Sequence, residues 1–338
     1  MCRTGVIIST CAVLAALLFC LSSCKEEKQH SPEPLSCAIS LSGREINGTS
    51  LLCGYNHFLL QRFASGSGRK AAIRLAGSRE SLLDSLRSGS VDVVSFPYID
   101  SLAQDSTLLA ISVDSCGLWV FSARDGQAER ASRWLDEYRS SEGYAASREP
   151  YFDMYNPMKR DSAAFISPYD SLIRAWADTL GWDWHMLAAL IYKESRFHIE
   201  ARSQMGAEGL MQLRPRTSML FGCNDALDPA QNIGAGARLL MSLRSRYSKT
   251  ASGEELTKYT LAAYNAGTGR IKDCISHARH LGVDVSRWEN VAEVIPQMQD
   301  DSIASLGHIS LGRFNGRETV SFVRQVYSYS NRYRQICP

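Results

Sequence analysis

Met186-Leu187-Ala188-Ala189-Leu190-Ile191-Tyr192-Lys193-Glu194-Ser195-Arg196-Phe197 is an apolar run that ends on a carboxylate. Asp183 stands at the cap position before it, so a helix is expected over Trp184 to Phe197. A helix this apolar belongs inside a domain rather than on its surface. A carboxyl at its end, facing apolar neighbours, would be raised from its ordinary pKa of about 4.3 toward neutrality. Taken alone, Glu194 reads rather as a surface helix carboxylate paired with Lys193 or Arg196.

The surrounding sequence is helical in the same way. Ser167-Pro168 reads as the cap and first turn of a helix that carries Leu172, Ile173, Trp176 and Leu180 and stops at Gly181. Asp228-Pro229 starts another, Glu254 to Asn265 forms a further one, and Arg317 to Tyr333 is the last long one. That leaves roughly 170 residues for a mainly helical domain with its own core. Three more motifs stand out: Ser203-Gln204-Met205-Gly206-Ala207-Glu208-Gly209-Leu210-Met211-Gln212-Leu213, Leu261-Ala262-Ala263-Tyr264-Asn265-Ala266-Gly267, and Glu318-Thr319-Val320-Ser321-Phe322-Val323.

Glu-Ser, Gly-Leu-Met-Gln, Ala-Tyr-Asn-Ala-Gly and a final Glu-Thr, in that order, resemble the soluble-lytic-transglycosylase domains of glycoside hydrolase family 23. The resemblance covers about residues 165 to 335. It implies a lysozyme-like helical fold and cleavage of peptidoglycan glycan strands at the MurNAc-GlcNAc β-1,4 bond, leaving a 1,6-anhydro end. It implies Glu194 as the single acid and base, because the substrate's own C6 hydroxyl replaces the second carboxylate that most glycosidases need. By the same resemblance Ser203, Gln212 and Glu318 belong to the saccharide site. Gly206 and Gly209 permit close backbone approach, and Met211 reads as core packing or as part of the site. Tyr264, with Asn265 beside it, reads as orienting Glu194 or the substrate, or as a half-buried core aromatic. Glu318 reads equally as a helix-start carboxylate favoured by the dipole. A goose-type lysozyme-like hydrolase and a non-catalytic peptidoglycan-binding lipoprotein are the competing readings.

Before this half lies a different pattern. Helices are expected over Tyr55–Ala64 and Glu80–Arg87, strands over Ala71–Ala76, Val91–Phe96, Leu108–Val113 and Leu118–Ser122, and a helix through Trp134, Leu135 and Tyr138. The run from Leu82 to Val94 resembles a unit of periplasmic solute-binding domains, yet too little chain lies between Phe96 and Leu108 for a second lobe. The expected architecture is therefore an α+β multidomain chain. A small single-lobe α/β domain spans 37–152, a linker 153–166 and the catalytic domain 167–338.

The N-terminus sets the compartment. Arg3 precedes an apolar run from Val6 to Leu21 that is too short for a comfortable span of about 20 residues. Leu21-Ser22-Ser23-Cys24 resembles a lipoprotein lipobox. That implies a signal peptide over 1–23, lipidation of Cys24, a polar tether over 24–36 and a cell-envelope location, most naturally the outer membrane facing the periplasm. Of ten cysteines, Cys2, Cys11, Cys20 and Cys24 are thus accounted for, and Cys37, Cys53, Cys116, Cys223, Cys274 and Cys337 remain to pair, with Cys223–Cys274 a weak guess.

The chain has 338 residues, room for two domains of about 100–200 residues each. Thirty-seven basic residues against 35 acidic ones give a net charge of +2, which excludes a nucleic-acid partner held by charge. Cys274, His277 and His280 do not share a helix face well, no CxxC occurs, and neither a metal nor a cofactor is expected.

Overall fold

The computed structural model describes residues 33–41, 51–96, 105–114, 117–152, 158 and 160–338. The expected signal peptide over 1–23, the expected lipidation site Cys24 and also Cys116 lie outside the described residues.

The N-terminal region is a mixed five-stranded sheet in the order β2-β1-β3-β5-β4. The strands are β1 (Leu35–Ser40), β2 (Ala71–Ala76), β3 (Val93–Phe96), β4 (Leu108–Ser112) and β5 (Leu118–Ser122). β1 runs parallel to β2 and β3, and β5 runs antiparallel to β3 and β4. Alternation sorts the side chains onto two faces. Cys37, Ile39, Val93, Trp119 and Phe121 join a core with α1 (Leu52–Gly66), through Leu59, Leu60 and Phe63. Ala38, Val94, Phe96 and Val120 face α2 (Arg79–Ser88), through Leu82 and Leu86. Trp119 Nε1 donates to Asn56 Oδ1 at 3.0 Å, which satisfies both groups inside the core.

One expectation fails here, and one helix forms where none was expected. The tether was expected to reach residue 36, but β1 begins at Leu35. Arg69 anchors the residues before it, donating from Nε to the Glu33 carbonyl at 2.8 Å and from Nη2 to that of Pro34 at 3.1 Å. Beyond α3 (Gln127–Arg139), a helix α4 (Tyr144–Phe152) forms despite Pro150 inside it. Packing outweighs propensity in α4: the Tyr151 and Phe152 rings lie 5.5 and 5.1 Å from Tyr55.

The second half is mainly helical: α5 (Asp170–Leu180), α6 (Trp184–Ser195), α7 (Pro215–Leu220), α8 (Pro229–Tyr247), α9 (Gly253–Ala266), α10 (Thr268–His280), α11 (Trp288–Val294), α12 (Asp301–Ala304) and α13 (Gly316–Ile336). α6 is buried from His185 to Tyr192. It packs on α13, with the Tyr192 ring 5.2 Å from Tyr329 and 6.1 Å from Tyr333. Asp183 caps it as expected, accepting from His185 N at 2.9 Å. α5 begins at Asp170 rather than Ser167. The Asp170 carboxylate takes the Ile166 and Ser167 backbone N–H groups at 2.7 and 2.8 Å and so keeps those residues out of the helix. The expected linker is also tied down at its far end: Ala163 N donates to the Ile336 carbonyl at 2.7 Å, and Ile166 is fully buried.

The two halves meet around Tyr169. Its ring lies 6.4 Å from Tyr151. A Cβ on Gly54 would come within 2.6 Å of its hydroxyl. The Cys223–Cys274 pairing does not form. Both are free, buried thiols: Cys223 follows α7 and donates to the Asp225 carbonyl at 3.3 Å, while Cys274 lies inside α10. Cys37 and Cys337 are likewise buried thiols.

Candidate active site

Glu194 stands one residue from the end of α6. The helix stops there because Arg196 and Phe197 both take positive φ, 52° and 66°. That is costly for a bulky residue, on the order of 1–3 kcal/mol each. The turn is over-determined by its contacts. Arg196 N donates to the Tyr192 carbonyl at 2.9 Å and Phe197 N to Ser195 Oγ at 3.2 Å. The Phe197 ring is buried 5.7 Å from Tyr192.

The Glu194 side chain is half-buried, enclosed by protein yet open on one side. Burial raises its pKa to about 7, and Lys193 beside it pulls weakly the other way. No carboxylate takes part in that balance. Among the described residues nothing hydrogen-bonds to it, so the carboxyl is free to meet a ligand.

The loop from Ser203 to Leu213 faces this acid through Tyr264. Tyr264, near the end of α9, donates its hydroxyl to the Met211 carbonyl at 2.6 Å. Its own pKa is driven well above the ordinary phenol value, first by burial and then by the charge of Glu194. Met211 and Tyr264 thus meet at a hydrogen bond, and Glu194 lies near enough for its charge to act on Tyr264. Met211 is fully buried, so its side chain is core packing, and its backbone carbonyl accepts from Tyr264.

The other expected residues lie on the same loop or on α9 and α13. Ser203 Oγ accepts from Ala207 N at 3.0 Å and staples its own turn. Gln212 sits at φ 47° and donates from Nε2 to the carbonyls of Ala201 at 2.9 Å and Gly209 at 3.1 Å. Its amide nitrogen is committed to the loop, which leaves the amide oxygen for a ligand. Asn265 Oδ1 accepts from Thr319 Oγ1 at 2.9 Å, tying α9 to the first turn of α13. Glu318 is exposed in that turn, where its charge suits the helix dipole. No hydrogen bond joins it to Glu194 among the described residues.

Asn232 escaped the sequence reading. It is fully buried in α8, accepts from Met211 N at 2.8 Å, and donates to the carbonyls of Glu208 at 3.3 Å and Ala226 at 3.2 Å. The available signal was an amide standing among Ile233, Gly234, Ala235 and Gly236 on an otherwise apolar helix face. Gly236 admits the Met211 side chain, since a Cβ there would strike its sulfur. A cleft of about 500 Å³ lined by Trp182, Asp183, Met186, Arg244 and Tyr327 opens at the opposite end of α6 and includes none of these residues. No group of His, Cys, Asp and Glu among the described residues could hold a metal ion.

Residues 171–285 match the family model described as the transglycosylase SLT domain. The chain is 35% identical over 226 residues to membrane-bound lytic murein transglycosylase F of Desulfosudis oleivorans, covering 64% of this chain and 49% of that protein. It is 30% identical over 239 residues to membrane-bound lytic murein transglycosylase F 2 of Alkalilimnicola ehrlichii, covering 68% and 53%. The chain therefore spans about half the length of the curated relatives it matches. Among solved structures it is similar to an inactive variant of lytic transglycosylase Slt from Pseudomonas aeruginosa, with TM-score 0.37 and 24% identity over 63% of this chain and 29% of that one. No helix among the described residues is long and apolar enough to cross a membrane.

Proposed function

We propose, from the premise that the chain carries a transglycosylase SLT domain, that it is a lytic murein transglycosylase cleaving the MurNAc-GlcNAc bond of peptidoglycan. The observation that carries this is one accessible carboxyl held at about 7 by burial, with no carboxylate partner acting on it. A lone acid of that strength is protonated near neutrality and regains a proton readily once ionised. Glu194 gives its proton to the glycosidic oxygen as the C1–O bond breaks, and the N-acetyl group of the muramic acid stabilises the cation. The carboxylate then takes the proton of the C6 hydroxyl as that oxygen bonds to C1. The acid is restored, the 1,6-anhydro ring closes, and no water is consumed.

Beside the acid, Tyr264 meets the Met211 carbonyl, and the Gln212 amide oxygen, Ser203 and Asn265 line the saccharide path, with the Met211 peptide as its floor. Glu318 stands at the rim. We assign residues 37–152 to an accessory α/β domain and 167–338 to the catalytic domain. The relatives' designation as membrane-bound and the lipobox-like Leu21-Ser22-Ser23-Cys24 support a lipid anchor at Cys24 and an outer-membrane location facing the periplasm.

Mass spectrometry of sacculus digests tests the chemistry: anhydro-muropeptides are expected, and products heavier by one water would establish a hydrolase instead. Cys24→Ala tests the anchor: the variant should fractionate as soluble, and retention on membranes through a high-salt wash would overturn the lipidation.

A further inference from the structure

We infer that residues 306–314 form a strap latched by a stack of three histidines, and that acid opens the latch: protonation of His277, His280 and His308 breaks the bond that holds the strap on α10 beside the candidate site. The latch itself does not depend on the proposed activity; its effect on cleavage rests on that reading.

The strap joins α12 to α13 and lies along α10. His277 Nδ1 and His308 Nε2 stand 3.0 Å apart. The His308 ring stacks on His277 at 5.3 Å and on His280 at 4.5 Å. One turn earlier on α10, Asp273 Oδ2 accepts from Ser310 N at 3.1 Å and from Leu311 N at 2.9 Å. Arg270 Nη1 donates to the Leu311 carbonyl at 2.6 Å and to that of Gly312. Leu311 lies over Gly269, where a Cβ would come within 2.5 Å of its side chain. The strap thus runs back toward the first turn of α10, which follows Tyr264 and Asn265 in the chain. At its far end it feeds α13, whose Thr319 donates to Asn265.

Proton counting makes the latch sensitive to acid. A bond between two imidazole nitrogens needs one proton and one bare lone pair. It holds while either ring is neutral. Once both rings are imidazolium, N–H faces N–H and the bond becomes a repulsion. His277 has no second bond to fall back on, since it is buried and its Nε2 finds no hydrogen-bond partner among the described residues. Nor does an anion compensate. The charges acting on His277 are those of His308 and His280, and none from α9 or α11, the helices packed on α10, takes part. On the strap-facing side of α10, Asp273 spends Oδ2 on two N–H groups, and Arg270 is a further cation. Burial, then His308 and His280, hold the His277 pKa below the ordinary 6.5. The folded-state value is lower than the unfolded one, so the contribution of His277 to stability is full above pH 6.5 and is lost as pH falls through the folded value.

The test is hydrogen exchange of the full chain, read by mass spectrometry on peptides spanning 306–314 and corrected for the intrinsic pH dependence of exchange. Between about pH 7.5 and about pH 5.5 the parent strap should lose protection by about tenfold or more, while α6 keeps its own. His308→Gln supplies an acceptor that acid cannot remove, so its strap should stay protected at both pH values. Loosening of that variant to the parent's extent would assign the acid response to another group, such as Asp273, and overturn the inference; so would a parent strap equally protected throughout. Should His308→Gln fail to fold, His280→Gln at its exposed position decides: with one charge gone from the stack, the midpoint of loosening should move by about half a pH unit, and an unmoved midpoint overturns the inference. Cleavage of sacculi should fall about threefold or more from about pH 6.5 to about pH 5.5 in the parent and hold level in His308→Gln. A parent that loosens yet cleaves equally well at both would overturn the strap's link to the site. A parent that loosens but cleaves nothing at any pH would refute the proposed activity and leave the latch standing.

Discussion

At the scale of the residue, the proposed chemistry turns on one carboxyl whose pKa burial raises to about 7. With Glu194 in its proposed role as the acid, cleavage should decline as pH rises through about 7. Glu194→Gln removes the proton and should lower the rate by about 10²–10⁴-fold or more, read as release of muropeptides from sacculi. The same substitution has a stability signature of defined sign. The folded-state pKa lies above the ordinary value of 4.5, so the native state holds a proton that the unfolded chain releases. The contribution of Glu194 is therefore full below pH 4.5 and is lost as pH rises toward 7. In Glu194→Gln that decline should vanish, so denaturant unfolding at pH 5 and pH 8 should differ less than in the parent. An equal difference in both proteins would mean that the carboxyl is not desolvated.

At the scale of the element, the site depends on a loop held between two helices. Gly209 is its tightest point, with φ at 78° and the Ala226 carbonyl and Asn232 against the position a Cβ would take. Gly209→Ala should cost about 2 kcal/mol or more in unfolding free energy, from the left-handed backbone and the overlap together; a loss within about 0.5 kcal/mol would contradict the packing described. Such features divide what was legible in the sequence from what was not. The caps at Asp183 and Asp228 and the stop at Gly181 were readable because each is a local hydrogen-bond pattern with its own residue type. That Met211 and Tyr264 meet was not legible from spacing, because 53 residues separate them. β1 was hidden because Arg69, more than thirty residues downstream, anchors its entry. α4 was hidden because its aromatic partners lie on α1. α7, α10 and α11 were missed as well, and Asn232 was passed over because its partners lie in a distant loop.

At the scale of the whole molecule, the two halves share a buried aromatic seam rather than a free hinge. Tyr169 carries a buried hydroxyl with no hydrogen-bond partner among the described residues, and Gly54 of α1 lies directly against it. Residues 160–338 alone should fold and cleave sacculi, since the proposed site residues all lie within them, but with a lower Tm because Tyr169 loses its cover. Gly54→Val in the full chain should separate thermal unfolding into two transitions where the parent shows one; a single unshifted transition would show that the seam carries no coupling. The buried thiols give the architecture a consequence in time. Burial pushes the Cys274 thiol up to about 12, and those of Cys37 and Cys223 upward as well, so in the finished protein they are nearly unreactive. With the proposed export, the unfolded chain would carry them as ordinary thiols into an oxidising space. Maturation is then a race, in which the core must close over its sulfurs before an oxidant joins two of them, and the folded state survives as the record of having won it.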